Sequence, residues 1–117
     1  METYYFHIAK LDVIDGRKRM EPMKTSRLVK VNNEQGIHMR PAALIVSTAS
    51  RFDSEIQLQT AEKVANAKNI LEVASLGASQ DTMLEITAEG YDAKDAIDTI
   101  ADLIIRNFNF PTEKQTA

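Results

Sequence analysis

Apolar and polar positions alternate between two periods along the chain. "RLVKV" (27–31) sets Leu28, then Val29 and Val31, against basic neighbours, and so predicts a short strand. The polar "NNEQG" that follows is a loop. Beyond it Ala42, Ile45, Val46, Ala49 and Phe52 recur at helical spacing and predict one buried stripe. Pro41 falls in the first turn of that helix, where a missing N–H costs nothing. "SEIQLQT" (54–60) alternates Ile56 and Leu58 with polar residues, a half-buried strand, and "KVANA" (63–67) is its hairpin partner across a turn near Ala61 and Glu62. "KNILEVASLGAS" (68–79) has room for a short helix closed by Gly77. "TMLEITAEG" (82–90) is a further strand. Asp92 then caps a last helix with Ala93, Ala96, Ile97, Ile100, Ala101, Ile104 and Phe108 on its apolar face, and Asp95, Asp98 and Asp102 turned to water.

Four strands and three helices in the order βαββαβα, with hairpin neighbours and helices on one face, predict an α+β open-faced sandwich. The domain spans 27–109. Residues 1–26 lack sustained periodicity and read as a flexible N-terminal extension, and 110–117 ("FPTEKQTA") as a polar C-terminal tail. "TYYFHIAKLDVI", inside the extension, has the composition of a short strand without an evident partner.

Composition narrows the chemistry. The chain has 117 residues, one domain's worth, with an ordinary hydrophobic share of 44%. It has no cysteine, so disulfides, thiolate catalysis and Cys-based zinc sites are excluded. The longest apolar runs, "PAALIV" and "DLII", are far short of the roughly 18 to 20 residues of a spanning helix. The N-terminus lacks the pattern of a signal peptide. These features predict a soluble, unexported, cytoplasmic protein with no membrane insertion.

Net charge is −3 and unevenly spread: 1–27 hold six basic and four acidic side chains, 28–117 eight and thirteen. An acidic main region argues against binding a phosphate backbone, and Phe52, Tyr91, Phe108 and Phe110 do not alternate on any strand as stacking aromatics would. Two distant histidines without a paired carboxylate motif make no metal site, and four glycines form no phosphate cradle. No metal, cofactor or nucleic-acid partner is expected.

One histidine stands apart. In "GIHMRPAALIV", Gly36 lets the loop turn, Ile37 anchors it, and His38 arrives as a helix begins. The first turn of a helix carries unsatisfied N–H groups and partial positive charge, an anion site by construction. Arg40 can bring a planar guanidinium to the same anion. A neutral imidazole nitrogen can attack phosphorus and later pass the group on. Equally, His38 can be a plain cap and Arg40 a surface charge. His7 is surrounded by no motif.

The stretch resembles the active-site segment of the histidine-containing phosphocarrier (HPr) family of the bacterial phosphotransferase system, whose pattern is Gly, an apolar residue, His, any residue, Arg, Pro, Ala. The resemblance continues through "SEIQLQT", "VANAKNILEVASLGAS" and "LEITAEG", covering residues 27–108. It implies a four-stranded antiparallel sheet with three helices on one face. It implies a phosphocarrier, not an enzyme in itself, that accepts a phosphoryl group on His38 Nδ1 from phosphoenolpyruvate-charged enzyme I. The group would then pass to IIA domains of sugar permeases or related acceptors.

By the same resemblance Arg40 stabilises the phosphoryl group, Met39, Ile70, Leu71 and Ser75 form the partner surface, and a monomer is expected. Many relatives carry a kinase-regulated serine after the lysine that starts the short helix. Here Lys68 is followed by Asn69, so no regulatory serine is expected, although Asn69 can still cap the helix. A regulatory module of a nitrogen-type phosphotransferase branch, controlling partners by binding, would use the same His38 and Arg40.

Overall fold

The computed structural model describes residues 5–8, 11–14, 17–20 and 23–109, with side chains over 23–109. Strands β1 (Tyr5–Ile8), β2 (Leu11–Ile14), β3 (Arg17–Met20) and β4 (Met23–Lys30) lead into helix α1 (Met39–Ala49). Then come β5 (Glu55–Gln59), β6 (Val64–Asn66), α2 (Ile70–Ala74), β7 (Met83–Gly90) and α3 (Ala93–Ile105). The main sheet has the order β1-β4-β7-β5-β6 and is antiparallel throughout, while β2 and β3 form a separate two-stranded ribbon.

The last four strands and three helices are the predicted open-faced sandwich. The sheet is wider than four strands because β1, from the expected extension, pairs with β4 through Tyr5↔Arg27 to Ile8↔Lys24. β4 itself begins at Met23 rather than at residue 27. Its inward positions there are Thr25 and Arg27, which no apolar pattern marks; Thr25 is buried, and the guanidinium of Arg27 meets the Asp98 carboxylate at 3.3 Å. Asp98, expected in water, is therefore half-buried and also accepts from Lys94 at 2.8 Å. The expected C-terminal tail, 110–117, lies outside the described residues, and His7 falls opposite Thr25 in the β1–β4 register.

The core lies between the sheet and the helices. Val29, Ile56, Leu58, Leu84 and Ile86 rise from the strands against Ala42, Ile45 and Ala49 of α1 and Ile97, Ile100 and Ile104 of α3, all essentially without solvent exposure. Each buried Val, Leu or Ile among them contributes about 1.5–3 kcal/mol by leaving water. α3 ends in a left-handed exit: Asn107 (φ 57) donates to Ile104 O at 3.1 Å and Phe108 N to Leu103 O at 2.8 Å. That motif turns Phe108 inward beside Leu103, and both are buried.

Two helix starts use their capping residues differently. Asn69 accepts from the amides of Leu71 (3.0 Å) and Glu72 (3.2 Å), the expected cap. Asp92 stands at the N-cap position of α3 but makes no side-chain cap bond. Its carboxylate instead accepts from Asp53 N (2.9 Å), Ser54 N (3.0 Å) and Ser54 Oγ (2.5 Å), tying α3 to the entry of β5. The reason is the approach of the two chains: Gly90 takes φ +155, and a Cβ there would lie 2.3 Å from Ser54 Oγ. With Ser54 so close, its donors outbid the helix amides.

A candidate phosphoryl-acceptor site at the start of the first helix

The site begins where β4 ends. Val31 exchanges hydrogen bonds with the loop before β7, donating to Thr82 O (3.0 Å) and accepting from Asp81 N (2.7 Å). The chain then makes a tight turn closed by Gly36 N donating to Asn33 O at 3.0 Å. Gly36 takes φ +70, and a Cβ there would lie 2.3 Å from Ala78 O, so conformation and contact both demand glycine. Asn33 Nδ2 donates to Gly36 O at 2.6 Å, and Ile37 N donates to Ala78 O at 2.8 Å. Ile37 is buried, as expected of an anchor.

His38 follows as the N-cap of α1, extended (φ −93, ψ −162) and exposed, with no side-chain capping bond. The first helical bond is Ala42 N to His38 O at 2.9 Å. The amides of Met39 and Arg40 thus precede the ladder, and Pro41, which is buried, brings none. No acidic residue stands in the first turn to neutralise the positive helix end. His38, Arg40 and two free amides share one exposed turn.

The nominated partner residues fall on two adjoining helices, since α1 packs against α2. Met39 (56% exposed) and Leu71 (68%) are apolar side chains in solvent, so neither owes its place to the core. Ile70 is half-buried and packs against the core, while Ser75 is exposed at the C-cap of α2, its carbonyl accepting from Lys63 Nζ at 3.0 Å. Asn69, at the position where a regulatory serine was looked for, has its side chain occupied as a cap. Sequence reasoning missed Asn33 and the Ser54–Asp92 tether. An Asn three residues before a turn glycine was a usable signal for the first; the second joins residues far apart in sequence.

The fold is thus an open-faced α+β sandwich with an exposed, uncapping histidine at the start of its first helix. Residues 25–106 match the family described as the PTS HPr component phosphorylation site. Among solved structures, an HPr from Thermoanaerobacter tengcongensis is 42% identical with a TM-score of 0.68, over 71% of this chain and 93% of its own. A phosphocarrier protein HPr from Bacillus anthracis is 36% identical with a TM-score of 0.66, over 69% and 96%. Crh of Bacillus subtilis, a catabolite-repression protein seen as an intertwined dimer, is 33% identical with a TM-score of 0.56, over 70% and 93%. The chain belongs to the HPr family of phosphocarriers of the phosphotransferase system, which are not enzymes in themselves. Among the described residues no helix is long and apolar enough to cross a membrane.

Proposed function

We propose that His38 is the residue that carries the phosphoryl group, taking it from enzyme I and passing it to a IIA domain in sugar uptake or its regulation. The observation that carries this reading is the free imidazole of an N-cap histidine, beside unladdered amides and Arg40, with no competing carboxylate in the turn. The Nδ1 lone pair attacks phosphorus as the bond to the donor's leaving atom breaks, that atom keeping the electron pair. The ring proton stays on Nε2. The amides of Met39 and Arg40 and the Arg40 guanidinium balance the charge of the phosphoryl oxygens during arrival and departure.

Met39, Leu71 and the exposed edge of Ile70, with Ser75 at the end of α2, form an apolar patch ringed by polar groups, suited to a transient partner. One chain supplies His38, Arg40 and α2, so the carrier works as a monomer, in the cytoplasm. Asn69 cannot accept a phosphoryl group, and control by a serine kinase at that position is not part of this reading. The likeness to Crh favours a second reading, a regulatory module acting through the same His38 on a soluble acceptor. The acceptor that takes the group separates the two.

The test is incubation with phosphoenolpyruvate and enzyme I, followed by intact mass measurement at neutral pH. One acid-labile phosphoryl group, absent from His38→Ala, is expected. A folded wild-type protein that gains nothing beside an enzyme I known to be active would remove the proposal.

A further inference from the structure

The peptide unit between Gly36 and Ile37 is held at both ends. Its oxygen accepts from Asn33 Nδ2 at 2.6 Å, and its N–H donates to Ala78 O at 2.8 Å. Only the Ile37 Cα and one further peptide separate this fixed plane from the Cα of His38. Of the two clamps, the Ala78 carbonyl belongs to the backbone. Asn33 Nδ2 is the side-chain half, and the half that the sequence controls.

The other end of the Asn33 amide, Oδ1, is buried and has no hydrogen-bond partner among the described residues. A buried acceptor without a partner is destabilising, because it has given up its water and gained no donor. The amide thus leaves one of its own atoms unpaired while it holds the Gly36 carbonyl in place. Nor can the amide turn over, because Oδ1 would then face the Gly36 carbonyl.

We infer that Asn33 is a positioning residue for phosphoryl transfer: its amide fixes the 36–37 peptide plane, and so aims His38 along the line of attack. The inference rests on the proposed role of His38 and adds to it a residue outside the acceptor turn. Fixing one peptide plane matters because attack on phosphorus needs donor, phosphorus and acceptor nitrogen roughly in line.

The experiment measures the rate of phosphoryl acceptance from phosphorylated enzyme I by rapid quench, on the full chain, for wild type, Asn33→Ala and Asn33→Asp. Asp keeps the shape but sets a carboxylate oxygen against the Gly36 carbonyl. Ser54→Ala, which breaks a tether remote from His38, supplies a variant destabilised without disturbing the turn. All are assayed well below their melting temperatures.

Both Asn33 variants are expected to accept about ten- to a hundredfold more slowly, the size of effect a misplacement near 1 Å produces, with Ser54→Ala at the wild-type rate. The phosphorus NMR signal of the phosphohistidine should also move in the Asn33 variants. Wild-type rates in folded Asn33 variants would overturn the inference while leaving His38 as acceptor. Equal slowing in Ser54→Ala would overturn it too, by showing a general loss of stability. A wild type that is not phosphorylated would instead sink the reading beneath it.

Discussion

At the residue scale, Arg40 has the clearest consequence. It stands exposed on the first turn with no acidic neighbour there, so its charge is available to an anion rather than spent on the helix. Removing one positioned donor from a developing anion costs about a hundredfold or more in rate. Arg40→Ala is therefore expected to slow phosphoryl acceptance to about that extent, and Arg40→Lys to recover only part, because an ammonium lacks the planar fork. Rapid-quench kinetics at fixed enzyme I concentration decide this; an unchanged rate in Arg40→Ala would assign the arginine to the surface.

Asp92 gives the pH dependence. Its carboxyl is held below the ordinary aspartate range, first by the hydroxyl of Ser54 and then by the Asp53 amide, partly opposed by burial, with the Ser54 amide and its own adding to the lowering. A depressed carboxyl contributes stability that is present above its unfolded pKa and lost as pH falls through the folded value. Asp92→Asn should thus unfold at lower denaturant concentration than wild type at pH 7. That gap should close as pH falls through about 4 and below. A gap of constant size from pH 7 to 3 would mean that the charge of Asp92 is not what the tether uses.

At the scale of elements, α2 is the test of how much a short helix depends on its ends. Five residues cannot sustain a helix by propensity. Asn69 holds its start, Glu72 Oε1 accepts from Asn66 N at 2.8 Å, and Lys63 Nζ reaches the Ser75 carbonyl. Asn69→Ala should cost about 1 kcal/mol in chemical denaturation, and Asn69→Ser much less, since a hydroxyl also caps. Leu71→Ala should shift stability by less than about 0.5 kcal/mol, because Leu71 is exposed, yet weaken binding to enzyme I by calorimetry. Wild-type affinity in that variant would move the partner surface elsewhere.

The helices and the inner strands were legible because their burial follows a period: Ile45 and Ala49, or Ile56 and Leu58, sit inward where the spacing put them. The start of β4 was not, because its inward residues are Thr25 and Arg27, and the ion pair that admits Arg27 lies on α3. Asp92 was read as a cap because local sequence cannot see Ser54 arriving against Gly90. In the turn before α1, His38, Arg40 and Gly36 stood in an ordered motif, whereas Asn33 joins it through a side-chain bond that only the folded turn creates.

At the scale of the molecule, the proposed acceptor turn follows the end of β4, whereas β1 pairs with its first half, Lys24 to Arg27. Met23 pairs with Gly90 at one end, and Lys30 leads to His38 from the other, eight residues on. At about 3.4 Å per residue, Arg27, where the β1 pairing stops, lies roughly 10 Å along the strand from Lys30. The core, the acceptor turn and α2 all draw on residues from 29 to 108. β1 adds only a four-residue pairing along the outer edge of β4. A chain that starts at Met23 should therefore fold, as followed by circular dichroism, and accept the phosphoryl group at the wild-type rate. Its newly bared edge, residues 24–27, would carry Lys24, and a lysine on an edge strand discourages pairing with another copy. Sedimentation should accordingly find a single copy. A folded truncation that no longer accepts the group would place part of the carrier's working surface in the first 22 residues, and would overturn the division of the chain at Met23.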